Sequence, residues 1–177
     1  MDDFYISVIG AGQATAEEYA LAENVGRLVA ETGAILVCGG LGGVMDAAAR
    51  GAKEAGGRTL GILPGHDRSE ANSYLDMVVA TGMGHARNLA VVSSGDAVIA
   101  VGGEFGTLSE IGLAAKLRRP VVVLAGWRLQ RDEGTPGIWY ASTPSEAISL
   151  LHQALRTEGP APRPSRGTDP PASRPSP

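Results

Sequence analysis

The chain has 177 residues, one cysteine, 25 glycines, 11 prolines and a formal net charge of −4, which is the size of one domain. Seven of the prolines fall in the last eighteen residues, so the packed body is expected over residues 1–158 and a Pro-rich, disordered tail over 159–177. The tail carries three of the 15 basic and one of the 19 acidic side chains, leaving the body with 12 against 18. That balance has the wrong sign for a protein that neutralises nucleic-acid phosphates, and no nucleic-acid partner is expected.

Met1-Asp2-Asp3 is acidic where a signal peptide is basic, and no apolar run approaches a membrane span, so a cytoplasmic protein with no membrane partner is expected. Cys38, flanked by apolar residues and glycines, reads as a core residue. Three widely separated histidines give no metal site.

Along the chain, short apolar runs at Phe4–Ile9, Ala34–Cys38, Thr59–Leu63, Met77–Ala80, Ala97–Val101 and Val121–Leu124 read as strands buried on both faces. Segments of helical spacing lie between or after them, at about 16–32, 43–56, 85–94, 106–118 and 144–156, the last opening on Thr143-Pro144. This alternation predicts an α/β, Rossmann-like three-layer fold with a central, mostly parallel sheet. The polar stretch 65–76 reads as a loop over a sheet edge or over the ligand.

The first strand runs into Gly10-Ala11-Gly12-Gln13-Ala14-Thr15, with Thr15 where a dinucleotide fingerprint needs its third glycine, and no GK[ST] exists. Gly10 and Gly12 therefore mark either a close backbone approach to a ligand or a strand-to-helix corner with a Thr15/Glu18 capping box. After the second strand, Gly39, Gly40, Gly42 and Gly43 precede a helix whose first turn carries Met45 and Asp46. Four glycines there exceed what tight packing asks for, and free amides at such a helix start suit an anion. Val101-Gly102-Gly103-Glu104-Phe105-Gly106-Thr107-Leu108-Ser109-Glu110 repeats the pattern after the fifth strand, with Gly102, Gly103, Gly106 and Thr107 offering amides and a hydroxyl to a phosphate. Thr107-x-x-Glu110 also fits a capping box, so spacing leaves the role of Glu110 open between cap and catalyst. In Thr81-Gly-Met-Gly-His-Ala-Arg-Asn88, Arg87 either reaches a phosphate or ribose or is a solvated helix residue, and His85 reads more readily as a surface residue.

Three of these stretches in order, Gly39–Met45, Met83–Arg87 and Val101–Glu110, resemble the motifs of the LOG-like family, historically labelled lysine decarboxylase-like, over about residues 4–156. The resemblance implies a phosphoribohydrolase releasing the base of a nucleoside 5′-monophosphate of the AMP or N6-modified AMP type. The Gly103–Thr107 loop would hold the phosphate, with Arg87 and Glu110 acting catalytically at the ribose and its N-glycosidic bond. It implies no metal or organic cofactor, and a homodimer or higher homo-oligomer with α-helices 85–94 and 106–118 in the contact. Val101, Ala86, Asn88 and Asp46 depart from the family's proline, acid, lysine and glycine. These departures look like a divergent bacterial branch that is also similar to molybdenum-cofactor carrier proteins, for which the implied function is non-enzymatic carriage of a phosphate-bearing ligand. A more distant similarity, to DNA-processing proteins of the Smf type, is opposed by the acidic body.

Overall fold

The computed structural model describes residues 3–130 and 134–158; the tail 159–177 lies outside them. Seven strands, β1 (Tyr5–Gly10), β2 (Ile35–Cys38), β3 (Arg58–Leu63), β4 (Met77–Ala80), β5 (Ala97–Val101), β6 (Val121–Leu124) and β7 (Ile138–Ala141), form one sheet in the order β4-β3-β2-β1-β5-β6-β7. Every neighbouring pair is parallel, with Ile6 opposite Leu36 on one side of β1 and Ile9 opposite Ala100 on the other. Parallel pairing needs a covering layer on each face. Helices α1 (Ala16–Glu31), α2 (Val44–Glu54) and α5 (Pro144–Glu158) supply one; α3 (Arg87–Ser94) and α4 (Phe105–Lys116) supply the other.

The strand pleat divides the core accordingly. Ile6, Val8, Leu36 and Cys38 pack with Val25, Val29, Ala48 and Leu151, whereas Ile9, Val37, Val98 and Ala100 pack with Val91, Val92, Ile111 and Ala114. The small residues on α1 and α2 let these helices touch backbone to backbone: a Cβ on Gly26 would lie 1.9 Å from the Ala48 carbonyl, and one on Gly51 equally close to that of Glu23. This contact fixes where α2 begins, and so the cleft wall described below.

Six strands and five helices lie within about two residues of their predicted bounds. β7 has no counterpart among the apolar runs, and the polar stretch 65–76 contains a short 3-10 turn at Arg68–Glu70. A second 3-10 turn, Gly84–Ala86, takes the first residues of the helix predicted over 85–94. Among the described residues no helix is long and apolar enough to cross a membrane.

Candidate functional site

The chain leaves β1 toward β2 on one side and leaves β5 toward β6 on the other, so the strand order reverses between β1 and β5. A crevice opens at such a point beyond the carboxyl ends of the strands. Here it is a cleft of about 400 Å³ walled by four loops. Ile9 to Gln13 come from the end of β1, and Gly39, Leu41 and Met45 from the turn between β2 and α2. His85, Arg87 and Asn88 descend from the start of α3, while Glu104, Gly106, Thr107 and Glu110 enter with α4. A second hollow, about 520 Å³, lies between α1 and α2. Its charges are engaged in surface ion pairs, Arg27 with Glu31 and Arg50 with Glu23 and Glu54, and no loop amides face it.

Arg87 and Glu110 reach the cleft from different helices and are 8% and 6% exposed. Arg87 Nη1 donates to Asn88 Oδ1 at 2.7 Å, and its buried Nε has no partner. No salt bridge joins Arg87 to Glu110 among the described residues. Burial pushes the Glu110 carboxyl up to about 7, with the Arg87 charge opposing the rise. Burial likewise lowers Arg87 from the usual arginine range, and Glu110 opposes that. The cleft thus holds a guanidinium with an unspent donor beside a carboxyl that is half protonated near neutrality.

The helix starts differ in a way that matters for anions. At α1, Thr15 Oγ1 accepts from the Glu18 amide and the Glu18 carboxylate accepts from the Thr15 amide, a complete capping box. α5 starts similarly, with the Glu146 amide donating to Thr143 Oγ1. α2, α3 and α4, which all begin at the cleft, have no side-chain cap. The Val44 amide of α2 donates to the Ala11 carbonyl at 3.0 Å, and the amides that follow it, with those of the first turn of α4, remain available to a ligand.

This geometry decides the alternatives at Glu110. α4 begins at Phe105 with Glu104 as its N-cap, so Thr107 sits at the third helical position and no capping box forms with Glu110. Glu110 instead points into the cleft wall from the second turn. Asn88, Gln13, Leu41 and His85 also line the cleft without having been placed there from the sequence.

Several residues expected at the ligand are occupied elsewhere. The Gly103 amide donates to Glu18 Oε1 at 3.3 Å and the Gly102 amide to the Leu124 carbonyl at 3.2 Å, so neither is free for a phosphate. Asp46 accepts from the Tyr19 hydroxyl at 2.6 Å and is not part of the cleft lining. Phe105 is 78% exposed and packs at a tilt against Trp127, whose Nε1 donates to the Glu104 carbonyl. Gly40, Gly42 and Gly43 shape the β2–α2 turn from behind: the Gly40 carbonyl accepts from the Asn72 amide, and Gly43, at φ 64°, packs on the Ala11 carbonyl. Gly10, Gly12, Gly39, Met45, Glu104, Gly106 and Thr107 do line the cleft with Arg87 and Glu110. Cys38 lies buried beneath the turn, its thiol pushed up to about 11 by desolvation, in keeping with a core role.

The SLOG cluster4 family profile matches residues 3–148. The chain belongs to the SLOG cluster4 family. It is 45% identical to an uncharacterized protein of Archaeoglobus fulgidus over 150 residues, 81% of this chain and 91% of that one. Among solved structures, the molybdenum cofactor binding protein of Rippkaea orientalis is 38% identical and superimposes with a TM-score of 0.81 over 88% of this chain and 99% of its own. The molybdenum cofactor carrier protein of Chlamydomonas reinhardtii is 33% identical, with a TM-score of 0.75 over 88% and 100%. The SLOG cluster4 assignment agrees with the LOG-like motifs, and both solved structures share the Rossmann-like sheet.

Proposed function

We propose that the cleft binds a phosphate-bearing small molecule and that the protein carries a pterin of the molybdenum-cofactor type. The observation that supports this most directly is the unpartnered Arg87 Nε facing a cleft onto which the uncapped starts of α2 and α4 also open. Buried guanidinium donors and free first-turn amides are the groups that hold a phosphate when water is excluded. Similarity to a molybdenum cofactor binding protein and a molybdenum cofactor carrier protein over nearly their whole lengths favours a cofactor as the cargo. Gly12, where a Cβ would meet only Met45 Cε at 3.9 Å, lets a flat ring system approach the β1 loop beside the flexible Met45.

Hydrolysis of a nucleoside 5′-monophosphate is the second reading, favoured by Glu110. A buried carboxyl pushed up to about 7 is matched to proton transfer at neutral pH, and its ionised form stabilises the positive charge that develops on a ribose during N-glycosidic cleavage. One comparison separates the two. The full chain is incubated with AMP and N6-alkylated AMP and assayed for free base and ribose 5-phosphate, and in parallel is loaded with molybdenum cofactor and passed through gel filtration. Retention of cofactor without base release is expected; release of base from either nucleotide, without cofactor retention, reverses the assignment.

A further inference from the structure

In doubly wound folds a diphosphate rests on the first glycine turn and on the amides at the start of the first helix. In this chain the start of α1 is taken by a side chain that also reaches the turn after β5. Glu18 Oε2 accepts from the Thr15 amide at 2.9 Å and from its hydroxyl at 3.0 Å, closing the start of α1. Glu18 Oε1 crosses to the turn after β5 and accepts from the Gly103 amide at 3.3 Å. The carboxylate fills that space: a Cβ on Gly102 would sit 1.9 Å from Glu18 Oε1. Exposed Glu17 adds a second negative charge to the same first turn. Thr15, Glu18 and Gly103 are not in the cleft lining but adjoin it through Gln13 and Glu104, whereas Arg87 and the starts of α2 and α4 lie in the cleft itself and have no acidic occupant.

Resting on the reading of the cleft as a phosphate site, we infer that Glu18 is a specificity determinant that admits a single phosphate and excludes diphosphates. Its carboxylate occupies the Gly103 amide and the α1 start, where a second phosphate would have to dock. The hydrogen bonds from Thr15 hold Glu18 below the usual carboxylate range, so it remains a charged occupant across the neutral range. A ligand with a pyrophosphate bridge would have to displace it and break three hydrogen bonds, whereas a monophosphate at the start of α4 leaves it in place.

The test is calorimetric titration of the full chain with inorganic phosphate and with inorganic pyrophosphate, without divalent metal, for the wild type, Glu18→Gln, Glu18→Ala and the control Glu17→Gln. Glu18→Gln keeps the cap, since glutamine also serves at that position, and circular dichroism confirms that each variant is folded. Glu18→Ala is expected to raise the preference for pyrophosphate over phosphate by roughly tenfold, the worth of about one charge-assisted hydrogen bond to the second phosphate. Glu18→Gln should raise it less, and Glu17→Gln should leave the ratio as in the wild type. An unchanged ratio in both Glu18 variants, or an equal rise in Glu17→Gln, overturns the inference while leaving the phosphate site standing. If neither anion binds to any form, the phosphate reading itself fails and takes this inference with it.

Discussion

Arg87 lies directly over Gly39: a Cβ built on Gly39 would come within 2.6 Å of Arg87 Nη2 and equally close to Met45 Sδ. Gly39 has no positive φ, so what demands glycine here is the guanidinium stacked on its Cα, not the backbone. Gly39→Ala is expected to fold, since the atoms it meets are the ends of flexible side chains, but to push Arg87 off its position. Phosphate affinity should fall by about 10- to 100-fold, roughly 1.4–2.8 kcal/mol, with little change in melting temperature. Calorimetry beside a thermal melt checks both, and unaltered affinity would show that Arg87 does not hold the ligand.

The same buried arginine contributes little to the stability of the fold, because it has a single side-chain partner, Asn88, and an orphaned Nε. Replacing a buried charge with an orphaned donor by an apolar side chain of similar length removes a desolvation cost, which offsets the lost attraction to the largely protonated Glu110 at pH 6 or below. At that pH, Arg87→Met should therefore keep or raise the melting temperature, by up to about 4 °C, while ligand binding is lost. A large fall in stability would mean that Arg87 is structural.

How much of this is readable in the sequence depends on the range of the interaction. Buried strands and helix spacing are local, and the strands from Tyr5–Gly10 to Val121–Leu124 are legible from apolar runs alone. Ile138–Ala141 is not, because it is a four-residue edge strand with three half-buried positions, entered through Thr135-Pro136-Gly137. The capping pattern Thr107-x-x-Glu110 is present but misleading, since α4 starts two residues before Thr107. Loss of the Gly103 amide to Glu18 involves a partner 85 residues away, and no local pattern marks it. The glycine loops mark the cleft region from the sequence, while which of their amides face a ligand is a tertiary fact.

The stretch 65–76 braces the cleft from the side. Asn72 Nδ2 donates to the Leu41 carbonyl at 2.9 Å and Asn72 Oδ1 accepts from the Tyr74 amide at 3.2 Å, tying the β2–α2 turn to the loop after β3. Asn72→Ala loses both bonds at about 1 kcal/mol each, so a melting temperature lower by roughly 4–8 °C is expected. Ligand binding should weaken by several-fold because Leu41 and Gly39 are released together. A variant that melts lower yet binds as tightly would show that the brace does not shape the cleft.

Assembly is expected through the α3/α4 face. Leu89 is 46% exposed, Met83 55%, Phe105 78% and Leu117 38%, apolar side chains on or next to α3 and α4 that a second copy of the chain would cover. Light scattering should give twice the chain mass of 18.1 kDa, and Leu89→Glu with Phe105→Glu should return it to one. A monomer at micromolar concentration for the unaltered chain rejects the interface.

Glu110 links the cleft to pH. Its carboxyl is ordinarily near 4.5 and is raised to about 7 in the folded protein, chiefly by burial. Between those values the native state holds a proton that the unfolded chain has released, so stability falls as pH rises from about 4.5 to 7 and the penalty is complete above that. A shift of that size corresponds to about 3 kcal/mol, with Arg87 already reducing the cost. Glu110→Gln, which is neutral at every pH, should be more stable than the wild type at pH 8, by up to that amount. The advantage should shrink through pH 6 and vanish below about 4.5. Urea unfolding at several pH values measures the gap directly, and parallel curves would show that the carboxyl is not desolvated. The same variant also bears on function: under the carrier reading it retains phosphate, whereas under the hydrolytic reading it loses turnover by about 10²- to 10⁴-fold, since an amide neither relays a proton nor carries the charge that stabilises a cationic ribose.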